Sequence, residues 1–384
     1  MRRVYLDHNA STPVHPEVLQ IMLPYFSELY GNASSIHSFG REARDAVEAA
    51  RAGIAGFLGA RDDEVVFTSG GTESDNLAVK GVAHAQGKGH IITSQVEHHA
   101  VLRTCQALER AGFEVTYLPV DGHGLVDPDD VRRAFRPDTI LVTIMYANSE
   151  VGTIMPIPEI GRIAQERGIP FHVDGVQAVG KIPLSVHDDG ISLLSASSHK
   201  MYGPKGIGAL YIRKGTKMIS VQHGGDHERR RRAGTENVPA IVGFAKAVEI
   251  RSRDMHEEEA RVRGLRDRLW EGTRERGPEV RLNGHPTRRL PATLNMSFRG
   301  IEAESLLLAL DLKGIGASAG SACTSGSLEP SYVLGAMGVS IEWSLGAVRY
   351  SLGRSTTGED VDYVLEVLPG AAARIRALSP AAIA

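Results

Sequence analysis

Two hydrophobic rhythms alternate along most of this chain. Short runs rich in apolar and β-branched residues, at 64–69, 90–93, 113–119, 139–145, 170–173, 191–195 and 209–212, read as strands. Between them, segments with apolar residues every three or four positions, at 77–83, 98–111, 127–135 and 157–167, read as helices. Upstream, 4–6 reads as a short strand and 14–29 as a helix broken near Pro24. The segment 41–58 reads as a long helix with its stripe at Ala43, Ala46, Val47, Ala50, Ile54 and Phe57. This alternation predicts an α/β fold with a mostly parallel sheet covered by helices on both faces. Ligands of such sheets sit beyond the carboxyl ends of the strands, so functional residues should collect there.

Past Tyr211 the rhythm changes. The run Arg229-Arg230-Arg231-Arg232 reads as a solvated charged face. The segment 238–270 reads as a helix with a densely charged second half, bridging to a smaller α+β layer. That layer has strands at 292–298 and 316–318, a helix at 302–312, and a helix at 359–368 that Pro369 could restart as far as 378.

Length and composition fit this picture. With 384 residues and 42% hydrophobic content, the chain is long enough for one large and one smaller domain. A net charge of -3 gives no reason to expect nucleic acid or a membrane as the main partner. No apolar run has the length of a membrane span and no signal-peptide core follows Met1-Arg2-Arg3, so a cytoplasmic protein is expected. Two cysteines, Cys105 and Cys323, are too few for a disulfide scaffold or a four-thiolate metal site.

The candidate chemistry gathers at the strand ends. Lys200 stands where a strand gives way to the turn Tyr202-Gly203-Pro204-Lys205-Gly206, a place suited to a Schiff-base lysine. Gly70-Gly71-Thr72 between strand and helix makes an anion cup, although Thr72 as a plain helix cap explains that stretch equally well. Glu97 and His98, Asn148 and Glu150, and Asp174 and Gln177 follow three further strands. A carboxylate ending a buried strand needs a partner or a shifted pKa, and a protonated ring nitrogen would serve. Lys200 for a Schiff base, Asp174 for a pyridinium, Gly71-Thr72 for a phosphate and His98 for a ring face are together the parts of a pyridoxal 5'-phosphate site.

The segments 68–76, 97–98, 172–177, 198–206 and 320–326, from Thr68-Ser69-Gly70-Gly71-Thr72 to Gly320-Ser321-Ala322-Cys323-Thr324-Ser325-Gly326, resemble the cysteine desulfurases. These belong to the class V aminotransferase group of pyridoxal-phosphate enzymes with fold-type I architecture. The likeness runs from Tyr5 to about Pro380. It implies a large cofactor domain at 14–252 and a smaller domain made of 1–13 and 253–384. It implies a homodimer in which Gly234-Thr235 of one subunit reaches the phosphate of the other. Asn148 and Gln177 match contacts to the cofactor oxygen and the substrate, Ser197 and His199 match phosphate contacts, Ser198 a further cofactor contact, and Asn32 matches a substrate contact. Arg349 matches the arginine that binds the substrate carboxylate, with Arg354 as a nearby rival.

Small and polar neighbours around Cys323 imply an exposed thiol with room to move, whereas Cys105 falls with Val101 and Leu108 on the inner stripe of a helix. The resemblance implies conversion of L-cysteine to L-alanine, with the sulfur passing to Cys323 as a persulfide. The acceptor would be an iron–sulfur scaffold, a tRNA-thiolation protein or a general sulfur carrier. It implies no intrinsic metal, Cys323 at most sharing a cluster with a scaffold. A selenocysteine lyase, another enzyme of the group, or a binding protein that has kept only the fold are the alternatives.

Overall fold

The computed structural model describes residues 2–277, 279–319 and 330–378. Its strands are β1 (Val4–Tyr5), β2 (Val65–Thr68), β3 (His90–Ser94), β4 (Glu114–Leu118), β5 (Thr139–Thr143), β6 (Phe171–Asp174), β7 (Leu193–Ser197), β8 (Gly208–Ile212), β9 (Val280–Asn283), β10 (Thr293–Phe298), β11 (Ile315–Gly316) and β12 (Ala347–Ser351). A seven-stranded sheet runs in the order β2-β8-β7-β6-β5-β3-β4. All neighbours pair parallel except β8, which runs antiparallel to both β7 and β2. Its central strands β5, β6 and β7 are almost wholly buried, and their polar residues Thr143, His172 and Ser195 bond to one another across the sheet.

The antiparallel return of β8 positions the lysine. The chain leaves β7, makes one 3-10 turn at Ser198–Lys200, and reverses through Gly203 and Gly206 into β8. A Cβ on Gly203 would lie 1.9 Å from Ser198 Oγ, so only glycine lets the reversal close against Ser198. Because β2 lies antiparallel to β8, it regains the direction of β7. The carboxyl ends of β2, β3, β5, β6 and β7 therefore meet at one edge.

A separate hydrophobic cluster joins the two ends of the chain. Val4 and Leu6 pack with Val262, Phe298, Leu306, Ile315 and Tyr350, beside the antiparallel sheet β12-β10-β9 and the parallel pair β1-β11. The helix Val238–Arg276 spans 39 residues and supplies Val262 and Leu269 to this cluster.

Two expectations change here. The terminal helix runs unbroken over Gly358–Leu378 with Pro369 inside it. Proline cannot donate to the Leu365 carbonyl one turn back, and Arg276 Nη1 takes that place at 3.4 Å. The arginine run is a solvated face only in its first half: Arg229 and Arg230 are exposed, with surface contacts to Glu48 and Asp226, whereas Arg231 and Arg232 are half-buried, Arg231 reaching the Asp63 carbonyl and Arg232 chelating Glu73. Among the described residues, no helix is long and apolar enough to cross a membrane.

Candidate active site

A cavity of about 370 Å³ opens where the five strand ends meet. The helix Gly71–Gln86 points its N-terminus into it, bringing Gly71 and Thr72 to the wall. Gly70 precedes it at φ +150° and ψ -175°, a conformation open almost only to glycine. No side chain caps the first turn, so its N–H groups face the cavity as an anion cradle. Ser197 and His199 line the same wall. The periodicity had placed the start of this helix further along, because Thr72 to Asn76 are polar.

Lys200 enters from the β7-β8 reversal. Its Nζ donates to the carbonyls of Asn9 at 2.6 Å and Ala10 at 2.9 Å, so the N-terminal segment fixes the amine at the cavity floor. Gln177 Nε2 donates to the same Asn9 carbonyl at 3.0 Å.

Opposite the lysine, carboxylates crowd. Ligand atoms of Asp75, Asp174 and His98 all lie within 4.8 Å of one another. Burial, then repulsion from Asp174, pushes the Asp75 carboxyl well above its ordinary range, and burial also raises Asp174. His172 is the nearest other basic group, 3.5 Å from Asp75 Oδ1, but burial drives its pKa down to about 3, leaving it neutral. Its ring nitrogens are taken by Thr143 Oγ1 at 2.8 Å and Ser195 Oγ at 3.1 Å. Against the burial that raises Asp174, His98, the Val176 N–H it accepts and Lys200 favour its charged form, and a cationic N–H group placed in the cavity would add to them. His98 caps the next helix through Nδ1, which accepts the Ala100 N–H at 3.1 Å, leaving Nε2 for the cavity.

Arg349 lies on β12 and is only 3% exposed, yet it lines the cavity. Arg354 does not line it; its guanidinium pairs with Asp254 at 2.8 Å. Of the other anticipated residues, Asn148 turns its amide to Val96 O and to the Glu150 and Val151 N–H groups rather than to the cavity. Ser198 is buried with its hydroxyl against the Gly203 turn. Asn32 and Thr235 are exposed, and neither lines the cavity. Cys323 lies outside the described residues. Cys105 is fully buried, and burial pushes its thiol up to about 12.

Several cavity residues escaped the sequence reading. Asp75 had a detectable signal: it shares a buried stripe with Ala78, Val79 and Val82, where a carboxylate is out of place. The Asn9 and Ala10 carbonyls had none, because a backbone acceptor has no residue signature. Glu150, which the strand-end reading did name, also lines the cavity, and its Oε2 accepts from Ser331 Oγ at 2.6 Å.

The donor set suits pyridoxal phosphate. The helix N-terminus, Ser197 and His199 match a phosphate, Asp174 a ring N–H, and Lys200 an aldehyde carbon.

The sequence model of the class-V aminotransferases matches residues 4–364, and the chain belongs to that family. More particularly, it is similar to a protein named cysteine desulfurase IscS from Dictyoglomus turgidum, 54% identical over 99% of this chain and 97% of that one. A protein of the same name from Methanosarcina thermophila is 56% identical over 99% of this chain and 94% of its own. A solved NifS-like protein superposes with a TM-score of 0.91 at 40% identity, covering 96% of this chain and 99% of the other.

Proposed function

We propose that this chain is a pyridoxal-phosphate-dependent cysteine desulfurase that moves the sulfur of L-cysteine onto Cys323. The observation that carries this reading is the meeting of Lys200, Asp174, the Gly71-Thr72 cradle and Arg349 in one cavity. The relatives' shared name, cysteine desulfurase, supports the substrate.

When bound, pyridoxal phosphate supplies an electron sink for the bonding electrons of the substrate α-carbon. Asp174 holds the positive charge on the ring nitrogen. Arg349 takes the substrate carboxylate with its planar fork, which fixes the α-hydrogen toward Lys200. Lys200 Nζ would take that proton as a general base and later return it. His98 exchanges protons with the two thiols. The Cys323 thiolate attacks the substrate sulfur; a sulfur–sulfur bond forms, the carbon–sulfur bond breaks, and alanine leaves with Cys323 as a persulfide.

The active form in this reading is a homodimer, with Thr235 lent to the neighbouring cavity. Phe26 at 62%, Tyr30 at 66% and Ile36 at 87% exposure support a second copy covering this face. Residues 14–252 make the cofactor domain, and 1–13 join 253–384, in keeping with the shared cluster of Val4 and Leu6. The protein works in the cytoplasm and hands its sulfur to an iron–sulfur scaffold or another sulfur carrier.

The test is alanine and sulfide release from L-cysteine by wild type, Cys323→Ser and Cys105→Ser, each scanned for the cofactor absorbance. Loss of turnover in Cys323→Ser alone, with its band intact, supports the reading. Full activity in Cys323→Ser moves it to a lyase that releases sulfur or selenium directly.

A further inference from the structure

Behind the cavity wall stands a second lysine that the reaction does not use. Lys181 follows Gln177 by one turn, and its part-buried Nζ donates to Gln177 Oε1 at 2.5 Å and to Asn9 Oδ1 at 3.1 Å. Both acceptors are neutral amides. Burial, and then repulsion from Lys200, Arg349 and Arg251, pulls its pKa well below the ordinary lysine range, and His8 and His199 lie within its field. A surface lysine would pair with a carboxylate; this one is held among cations, against two amide oxygens that belong to cavity residues.

The arrangement fixes an amide. Nζ gives an N–H to each of Gln177 Oε1 and Asn9 Oδ1, which a lysine amine can do whether charged or neutral, so the Gln177 atom facing it is the oxygen. A carbonyl has only acceptors, so the atom facing Asn9 O must be the Gln177 nitrogen. The orientation is thus determined at both ends, and one N–H of Gln177 is left over. With Lys181 gone, nothing but Asn9 O would oppose an amide that rotates its oxygen toward the cavity.

We propose that Lys181 is a positioning residue, which through Gln177 and Asn9 keeps the Gln177 N–H aimed at the cavity for an anionic oxygen on the cofactor ring. This rests on the desulfurase reading only for the identity of the ligand. Lys181 also holds Asn9, whose carbonyl accepts from Lys200, so one side chain braces both the donor and the amine.

The experiment is a double-mutant cycle on pyridoxal-phosphate binding to apoprotein, read by equilibrium dialysis and by the absorbance of the lysine-bound cofactor. Lys181→Met and Gln177→Ala should each weaken binding about tenfold, the worth of one hydrogen bond to a charged oxygen. The double variant should be no weaker than Gln177→Ala, and Lys181→Arg should recover most of the loss. Gln177→Glu, which puts oxygen at both positions with Lys181 intact, should bind at least as weakly as Gln177→Ala and covers the case where Lys181→Met does not fold. Wild-type affinity in Lys181→Met or in Gln177→Glu overturns the proposal. So does a roughly hundredfold loss in the double variant, because the two residues would then act independently. If the wild type itself takes up no cofactor, the desulfurase reading fails, and that arm shows it before any variant is measured.

Discussion

Arg349 gives one arm of its guanidinium to Asp7: Nη2 donates to Asp7 Oδ1 at 2.7 Å, while Nη1 holds the Ser149 carbonyl at 3.1 Å. A substrate carboxylate must therefore share Arg349 with a resident one. Arg349→Ala should raise KM for L-cysteine by about 10- to 100-fold, from the loss of charge-assisted hydrogen bonds of about 1.5–3 kcal/mol. Asp7→Asn keeps an acceptor for the guanidinium but removes the competing charge, and should lower KM. Steady-state kinetics over a cysteine series checks both; an unmoved KM in Arg349→Ala rules it out as the carboxylate binder.

Asp174→Asn should cut kcat by about two to four orders of magnitude, since breaking a buried charge pair costs about 3–5 kcal/mol. Asp75→Asn has the opposite sense for its neighbour: removing one of two repelling carboxyls makes Asp174 easier to ionise. Single-turnover rates across pH distinguish them, with the Asp75→Asn profile displaced to lower pH.

Glu97 is fully buried, with its carboxyl pushed up to about 8, chiefly by burial. The folded protein keeps a proton that the unfolded chain releases above the ordinary value of 4.5, so stability is lost as pH rises from there to about 8. Glu97→Gln removes this loss. In melts of the apoprotein its Tm should gain steadily on wild type between pH 5 and 8, and a constant difference would contradict the assignment.

Arg51 and Glu228 form a buried, two-pronged ion pair at 2.7 and 2.9 Å, and Glu228 also accepts the Phe67 N–H. Glu228→Ala should destabilise the fold by about 1–3 kcal/mol, because the buried Arg51 and the Phe67 N–H lose their partner while Arg51 keeps Glu48 at 3.2 Å. Chemical denaturation measures this. The same variant should weaken cofactor retention, since Glu228 anchors the loop that carries Thr235.

The sheet and the strand ends were legible because hydrophobic rhythm is a local property. Lys200 at a strand end before Gly203, and Asp174 closing a buried strand, stand out from their immediate neighbours. What was hidden depends on partners remote in sequence. Lys181 looks like any loop lysine until Gln177 and Asn9 close around it. Arg231 and Arg232 look as solvated as their exposed neighbours Arg229 and Arg230 until Asp63 and Glu73 arrive from elsewhere in the chain. Pro369 reads as a helix break until Arg276 fills the missing bond. The strand that carries Arg349 was also missed, because its burial comes from β10 and from Leu6 beside it.

The pairing of β1 with β11 also sets a timetable for synthesis. Val4 finds its partner Ile315 about 310 residues later in the chain. At roughly 5–20 residues per second, the first strand waits on the order of 15–60 s on the ribosome before it can dock. Until then Asn9 and Ala10 cannot be delivered reliably to Lys200, nor Asp7 to Arg349. The nascent large sheet can form early, but a competent catalytic centre is among the last things this polypeptide makes.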